Sequence, residues 1–149
     1  MLSKLINQDT IQIVDFVDDW KKAIQLSAQL LLDREVIEPR YIDAMINRAE
    51  ELGPFFHLGS GIALPHARPE DGVNEVGLSL LKVKEPVLLL DDESHPIKVF
   101  ITLASPDNET HLEALSSLTQ ILMDKEKLNA LLEAETSQEI EDILKVEEN

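Results

Sequence analysis

Between residues 19 and 33, Trp20, Ala23, Ile24, Ser27, Ala28, Leu30 and Leu31 return at the three-and-four spacing of a helix with one buried stripe. Asp18-Asp19 stands where a side-chain oxygen can cap the first turn. A second helix is predicted from Pro39, a residue suited to a first helical position, through Ile42, Met45, Ile46 and Ala49. It stops at Gly53-Pro54.

Strand-like runs occur before and after this pair. Ile11 to Val14 predicts a first strand. Phe55 to Leu58 and Gly61 to Leu64 read as short extended pieces broken by Gly59-Ser60. Val76 to Val83 and Ile97 to Ala104 are longer strand candidates, and Val87 to Leu90, after Pro86, is a further short one. In Ile97 to Ala104 both alternating faces are fairly apolar, which predicts a sheet covered by helices on each side.

Thr110-x-x-Glu113 has the form of a capping box, opening a helix whose buried side would be Leu112, Leu115, Thr119, Leu122 and Met123. Thr136-x-x-Glu139 repeats the signature before Ile140, Ile143 and Leu144, with Lys125 to Ala134 between the two. The plan is α/β: a mixed β-sheet sandwiched between α-helices, in a single domain over residues 1–149.

Charge narrows the class of partner. Twenty-nine acidic against 13 basic residues give a formal charge of −16, which repels nucleic-acid backbones and anionic lipid. No nucleic acid is expected, and the same acidity either steers a basic protein partner or simply keeps the molecule soluble. Leu2 to Ile6 is too short for a signal or a membrane span, so a cytoplasmic protein without direct membrane insertion is expected. The absence of cysteine excludes disulfides, thiol catalysis and thiolate metal sites.

No phosphate-binding loop, dinucleotide fingerprint, nucleophile elbow or kinase signature is present. The histidines at 57, 66, 95 and 111 show no metal-ligand spacing, so neither a metal nor a cofactor is expected. The unusual passage is Gly59-Ser60-Gly61-Ile62-Ala63-Leu64-Pro65-His66-Ala67-Arg68-Pro69. Two glycines let the chain turn, and two prolines stiffen it on either side of His66, which no periodic pattern places in a core.

At neutral pH an imidazole is mostly uncharged and nucleophilic. A phosphoryl group on it would need donors. Arg68 offers a guanidinium, or else is a surface arginine paired with Glu70 or Asp71. The capping box places His111 at the first helical position, where anions are favoured; otherwise it is an exposed helix-start residue. Arg48 flanks the apolar stripe of the second helix and either leans toward the loop or pairs with Glu51 or Asp43. His57 and His95 are assigned structural roles.

"GIALPHARP" resembles the phosphohistidine motif of enzyme IIA proteins of the mannitol–fructose (type 2) class of sugar phosphotransferase systems, and "NETHL" resembles their second histidine motif. The resemblance covers nearly the whole chain. It implies that His66 accepts a phosphoryl group from the histidine phosphocarrier protein, on Nε2, and gives it to a cysteine of a cognate enzyme IIB. That protein works with the membrane permease enzyme IIC. The resemblance also makes His111 the auxiliary histidine and Arg48 the helix arginine. Where many mannitol and fructose members carry glycine, this chain has Ala67, and "PHARPEDGV" is similar to the ascorbate-type branch, which points to L-ascorbate or a related sugar acid. A nitrogen-related regulatory module, using the same histidine to change partner binding, is the alternative.

Overall fold

A computed structural model describes residues 2–145. In chain order the elements are α1 (Leu2–Leu5), β1 (Ile11–Val14), α2 (Trp20–Asp33), α3 (Pro39–Leu52), β2 (His57–Gly59), β3 (Ile62–Ala63) and β4 (Gly77–Leu88). There follow β5 (Pro96–Ala104), α4 (Asn108–Leu122), α5 (Lys125–Glu133) and α6 (Ser137–Lys145). The strands form one sheet in the order β1-β4-β5-β3-β2. β1 and β3 run parallel to their neighbours β4 and β5, while β4 and β5 are antiparallel, as are β2 and β3. This is the mixed α/β sandwich that the hydrophobic pattern predicts.

Each face of the sheet carries its own apolar layer. Trp20, Ile24, Ala28 and Leu31 of α2 and Tyr41, Met45 and Ala49 of α3 pack on Leu81, Val83, Phe100 and Ala104. On the opposite face Ala114, Leu118 and Ile121 of α4, Leu131 of α5 and Ile140 and Leu144 of α6 cover Leu78, Leu80, Val99, Ile101 and Leu103. Each fully buried aliphatic side chain contributes about 1.5–3 kcal/mol, so the two layers dominate the stability.

A few buried polar contacts set the register of helices on strands. The Ser27 hydroxyl bonds that of Thr102, and Ser79 donates to the Ser27 carbonyl, fixing α2 across β4 and β5. On the other face Lys82 donates to the carbonyl of Ala134, just past α5.

The Asp19 carboxylate accepts from the Lys22 amide at 2.8 Å and caps α2. Thr136 Oγ1 likewise accepts from Glu139 N, at 3.1 Å, and opens α6. Two expectations change. Val76–Val83 and Val87–Leu90 are not separate strands: β4 runs through Pro86, which falls in an irregular stretch where the register with β5 shifts between Lys82 and Val87. A proline is tolerated there because no regular ladder bond is required of it.

The second correction concerns α4. Its cap is Asp107, whose carboxylate accepts from Thr110 N at 2.7 Å, so the helix starts at Asn108, three residues before His111. The buried stripe moves with it, to Ala114, Leu118 and Ile121. Leu112 and Met123, expected inside, are exposed.

Candidate functional site

A tight hairpin, where Ser60 and Gly61 take positive φ of 55° and 84°, returns the chain from β2 to β3 ahead of the loop that leads to β4. Leu64 N donates to Phe56 O at 2.9 Å, and Leu103 N to Pro65 O at 3.4 Å, carrying the backbone alongside β5 as far as residue 65. His66 follows, half-buried, with its ring 5.5 Å from that of Phe56 and 5.7 Å from that of Phe55.

His66 Nδ1 lies 2.8 Å from Leu64 O. A carbonyl only accepts, so Nδ1 carries the proton and Nε2 keeps the lone pair. Burial pushes the His66 pKa below the usual imidazole value. The Leu64 bond opposes this, while the neighbouring His111 and Arg48 add to the depression. The ring is therefore neutral at pH 7, with Nε2 as its nucleophilic atom.

His111 comes to the same place from the first turns of α4, its ring centroid 5.5 Å from that of His66. Its own N–H is engaged with Asp107 O at 3.2 Å, so it is not the first helical residue and offers no free amide. What it offers is its side chain, with a pKa also lowered by burial.

Arg48 on α3 places its guanidinium carbon 5.6 Å from the centroid of the Phe55 ring, and its Nε is buried without a hydrogen-bond partner. The pairings with Glu51 or Asp43 considered from the sequence are not among the ion pairs of the described residues. Arg68, two residues after His66, is exposed. Asp71 is held by backbone contact instead, its carboxylate accepting from Arg68 N at 2.9 Å.

These side chains line one shallow cleft of about 160 Å³, whose walls are Arg48, His66, Ala67, Arg68, Pro69, Asn108 and His111. All four residues singled out from the sequence thus meet, although they come from α3, the loop and α4. Asn108 was not anticipated. Its signal was the Asp107 cap, which makes it the first residue of α4 and sets that helix's electropositive end beside the histidines. His57 and His95 lie apart, bonded to each other through their Nδ1 atoms at 2.8 Å. Among the described residues no group of three or more histidine, aspartate or glutamate side chains could hold a metal ion, and no helix is long and apolar enough to cross a membrane.

A half-buried neutral histidine facing arginines in an acidic protein defines a site suited to a small anion. Residues 4–146 match the family described as "Phosphoenolpyruvate-dependent sugar phosphotransferase system, EIIA 2", and the chain belongs to that family. It is 33% identical over 141 residues to the ascorbate-specific PTS system EIIA component of Escherichia coli K12, covering 94% of this chain and 92% of that protein. Among solved structures, the mannitol-specific cryptic phosphotransferase enzyme IIA of Escherichia coli superposes with a TM-score of 0.89 at 34% identity, covering 96% of this chain and 97% of that one. The mannitol enzyme IIA of the same organism, solved in complex with phosphorylated enzyme IIB, gives a TM-score of 0.81 at 27% identity, covering 93% and 96% of the two chains.

Proposed function

We propose that the chain is a cytoplasmic phosphocarrier, accepting a phosphoryl group on His66 Nε2 from the histidine phosphocarrier protein and passing it to a cysteine of a cognate enzyme IIB that serves a membrane enzyme IIC. The observation that carries this reading is the Leu64–His66 bond, which commits Nδ1 to the backbone and leaves Nε2 as the lone-pair atom in a cleft with two arginines. In the first step Nε2 attacks phosphorus as the carrier's N–P bond breaks. In the second a thiolate attacks, the His66 N–P bond breaks, and the neutral imidazole returns.

Arg48, Arg68 and the His111 ring act by stabilising the oxygens of the transferring group, and the cleft aligns donor and acceptor. His111 is the auxiliary histidine, neutral and able to give an N–H to a phosphoryl oxygen. An apolar rim supports a protein partner: Leu52, one turn beyond Arg48, Phe55 against His66, and Leu112 beside His111 are all exposed. Such a rim excludes water around a docked surface.

For the transported compound we propose L-ascorbate or a related sugar acid, on the strength of the curated relatives and the "PHARPEDGV" passage. The test is incubation with phosphoenolpyruvate and the general phosphotransferase proteins, followed by intact-mass measurement and acid treatment. An acid-labile phosphoryl adduct that disappears in His66→Ala is expected. Normal labelling of that variant removes the assignment. Transfer onward to an ascorbate-type enzyme IIB, in preference to a mannitol-type one, tests the substrate class.

A further inference from the structure

The residue that follows His66 is bonded to a side chain outside the cleft. Tyr41, in the first turn of α3, is 1% exposed. Its hydroxyl donates to Leu103 O at 2.9 Å and accepts from Ala67 N at 3.0 Å. Leu103 lies at the end of β5, the strand leading into α4, and Ala67 directly follows His66. One oxygen therefore joins α3, which bears Arg48, to the loop that bears His66 and to the strand that leads to His111.

Other contacts tie the same loop to the same helical turn. Arg40 Nη1 donates to Glu70 O at 2.7 Å, and Glu38 N donates to Gly72 O at 2.8 Å. Gly72 has a φ of 130°, and a Cβ there would stand 3.3 Å from Tyr41 N and 3.1 Å from Arg40 Cγ, so the loop lies directly on this turn. Those two contacts hold residues 70 and 72. Tyr41 alone among these side chains holds the residue adjoining His66.

We propose that Tyr41 is a positioning residue for phosphoryl transfer, its hydroxyl fixing the Ala67 peptide and, with the Leu64 bond on the other side, the direction of the His66 ring. The proposal rests on the phosphocarrier reading above. Deleting the hydroxyl leaves the aromatic ring in the core but strips partners from a buried N–H and a buried carbonyl, which then relax. Small displacements of a reacting atom lower turnover strongly while leaving surface docking untouched.

The test pairs Tyr41→Phe with biosynthetic 3-fluorotyrosine, which labels position 41 alone because the chain has one tyrosine. In Tyr41→Phe we expect kcat for transfer from the phosphorylated carrier to fall roughly tenfold or more. KM should stay within about twofold and Tm within a few degrees, as for loss of one neutral hydrogen bond. The fluorinated protein, which keeps the hydroxyl, should transfer normally, and its fluorine resonance should move when His66 is phosphorylated.

An unchanged kcat overturns the proposal, as does a loss of kcat that merely tracks a lowered Tm. Should Tyr41→Phe not fold, the fluorine measurement decides on the native fold, a resonance blind to phosphorylation being the refuting result. Failure of the unsubstituted protein to take up phosphate would instead overturn the phosphocarrier reading beneath it.

Discussion

Two pairs of histidines stand in this molecule at almost the same separation, with ring centroids 5.1 Å apart for His57 and His95 and 5.5 Å for His66 and His111. Their bonding differs. In the first pair Gly61 N donates weakly to His57 Nε2 at 3.4 Å, so His57 carries its proton on Nδ1 and gives it to His95 Nδ1 at 2.8 Å. Each ring answers the other. In the second pair the proton of His66 goes to the backbone, and Nε2 is left in a cleft lined by Arg48 and Arg68. Proximity of two imidazoles does not make a reactive site. In the phosphocarrier proposed above, a lone pair without a partner, set among cations, does.

The sharpest way to break this comparison is to exchange the fates of the pairs. His66→Gln should lose phosphoryl uptake completely, whereas His95→Gln should label like the unsubstituted protein; intact mass after incubation with the phosphorylated carrier reads both. Next in size, His111→Ala should still label at His66 but pass the group on roughly 100- to 1000-fold more slowly, the scale of one positioned hydrogen-bond donor, in single-turnover transfer to enzyme IIB. Arg68→Ala should slow transfer about tenfold with the fold intact by circular dichroism, since its backbone and not its guanidinium holds Asp71. A rate equal to that of the unsubstituted protein would return it to the surface.

Acid sharpens the contrast further. His57, His66 and His111 all have pKa values below the ordinary imidazole value, burial being the first cause in each. Below about pH 6.5 an unfolded chain binds protons at these positions that the folded chain refuses, so stability is fully present above that pH and declines as pH falls toward the depressed folded values. Urea midpoints between pH 7.5 and 5 should fall accordingly. Phosphoryl acceptance should hold steady through pH 6.5, past the point where a free imidazole would be half protonated. The smallest effect belongs to His95→Ala, which should cost about 1 kcal/mol by urea denaturation and leave the transfer rate within twofold.

The sequence made the helical frame legible wherever one stripe met the core. Trp20 to Leu31 and Ile42 to Ala49 repeat with the helical period, and α2 and α3 lie where that period puts them. His66 was legible because its glycine and proline frame has no other use. The start of α4 was misread because Asp107 and Thr110 are both good caps, and the Asp107 carboxylate, three residues earlier, takes the orphan amide first. With the helix begun there, Ala114 approaches the sheet closely and turns Leu112 outward, a preference set by the shape of the opposing layer and invisible in one-dimensional spacing. Tyr41 was unreadable for another reason. Its partners are main-chain groups 26 and 62 positions away, and main chain has no letter.

Lys82 has a counterpart consequence at the opposite end of the chain. Burial and the nearby Lys98 lower its pKa, against Glu139, Glu135 and Glu133, which favour its charge, and its amine reaches the first carbonyl beyond α5. A protein shortened before Ala134 would lose that carbonyl, Glu135 and Glu139, and with Ile140 and Leu144 the apolar cover over this part of the sheet. The last helix, α6, is thus a cover the sheet itself demands, and trimming it should unfold the domain from behind while every residue lining its cleft remains in the sequence.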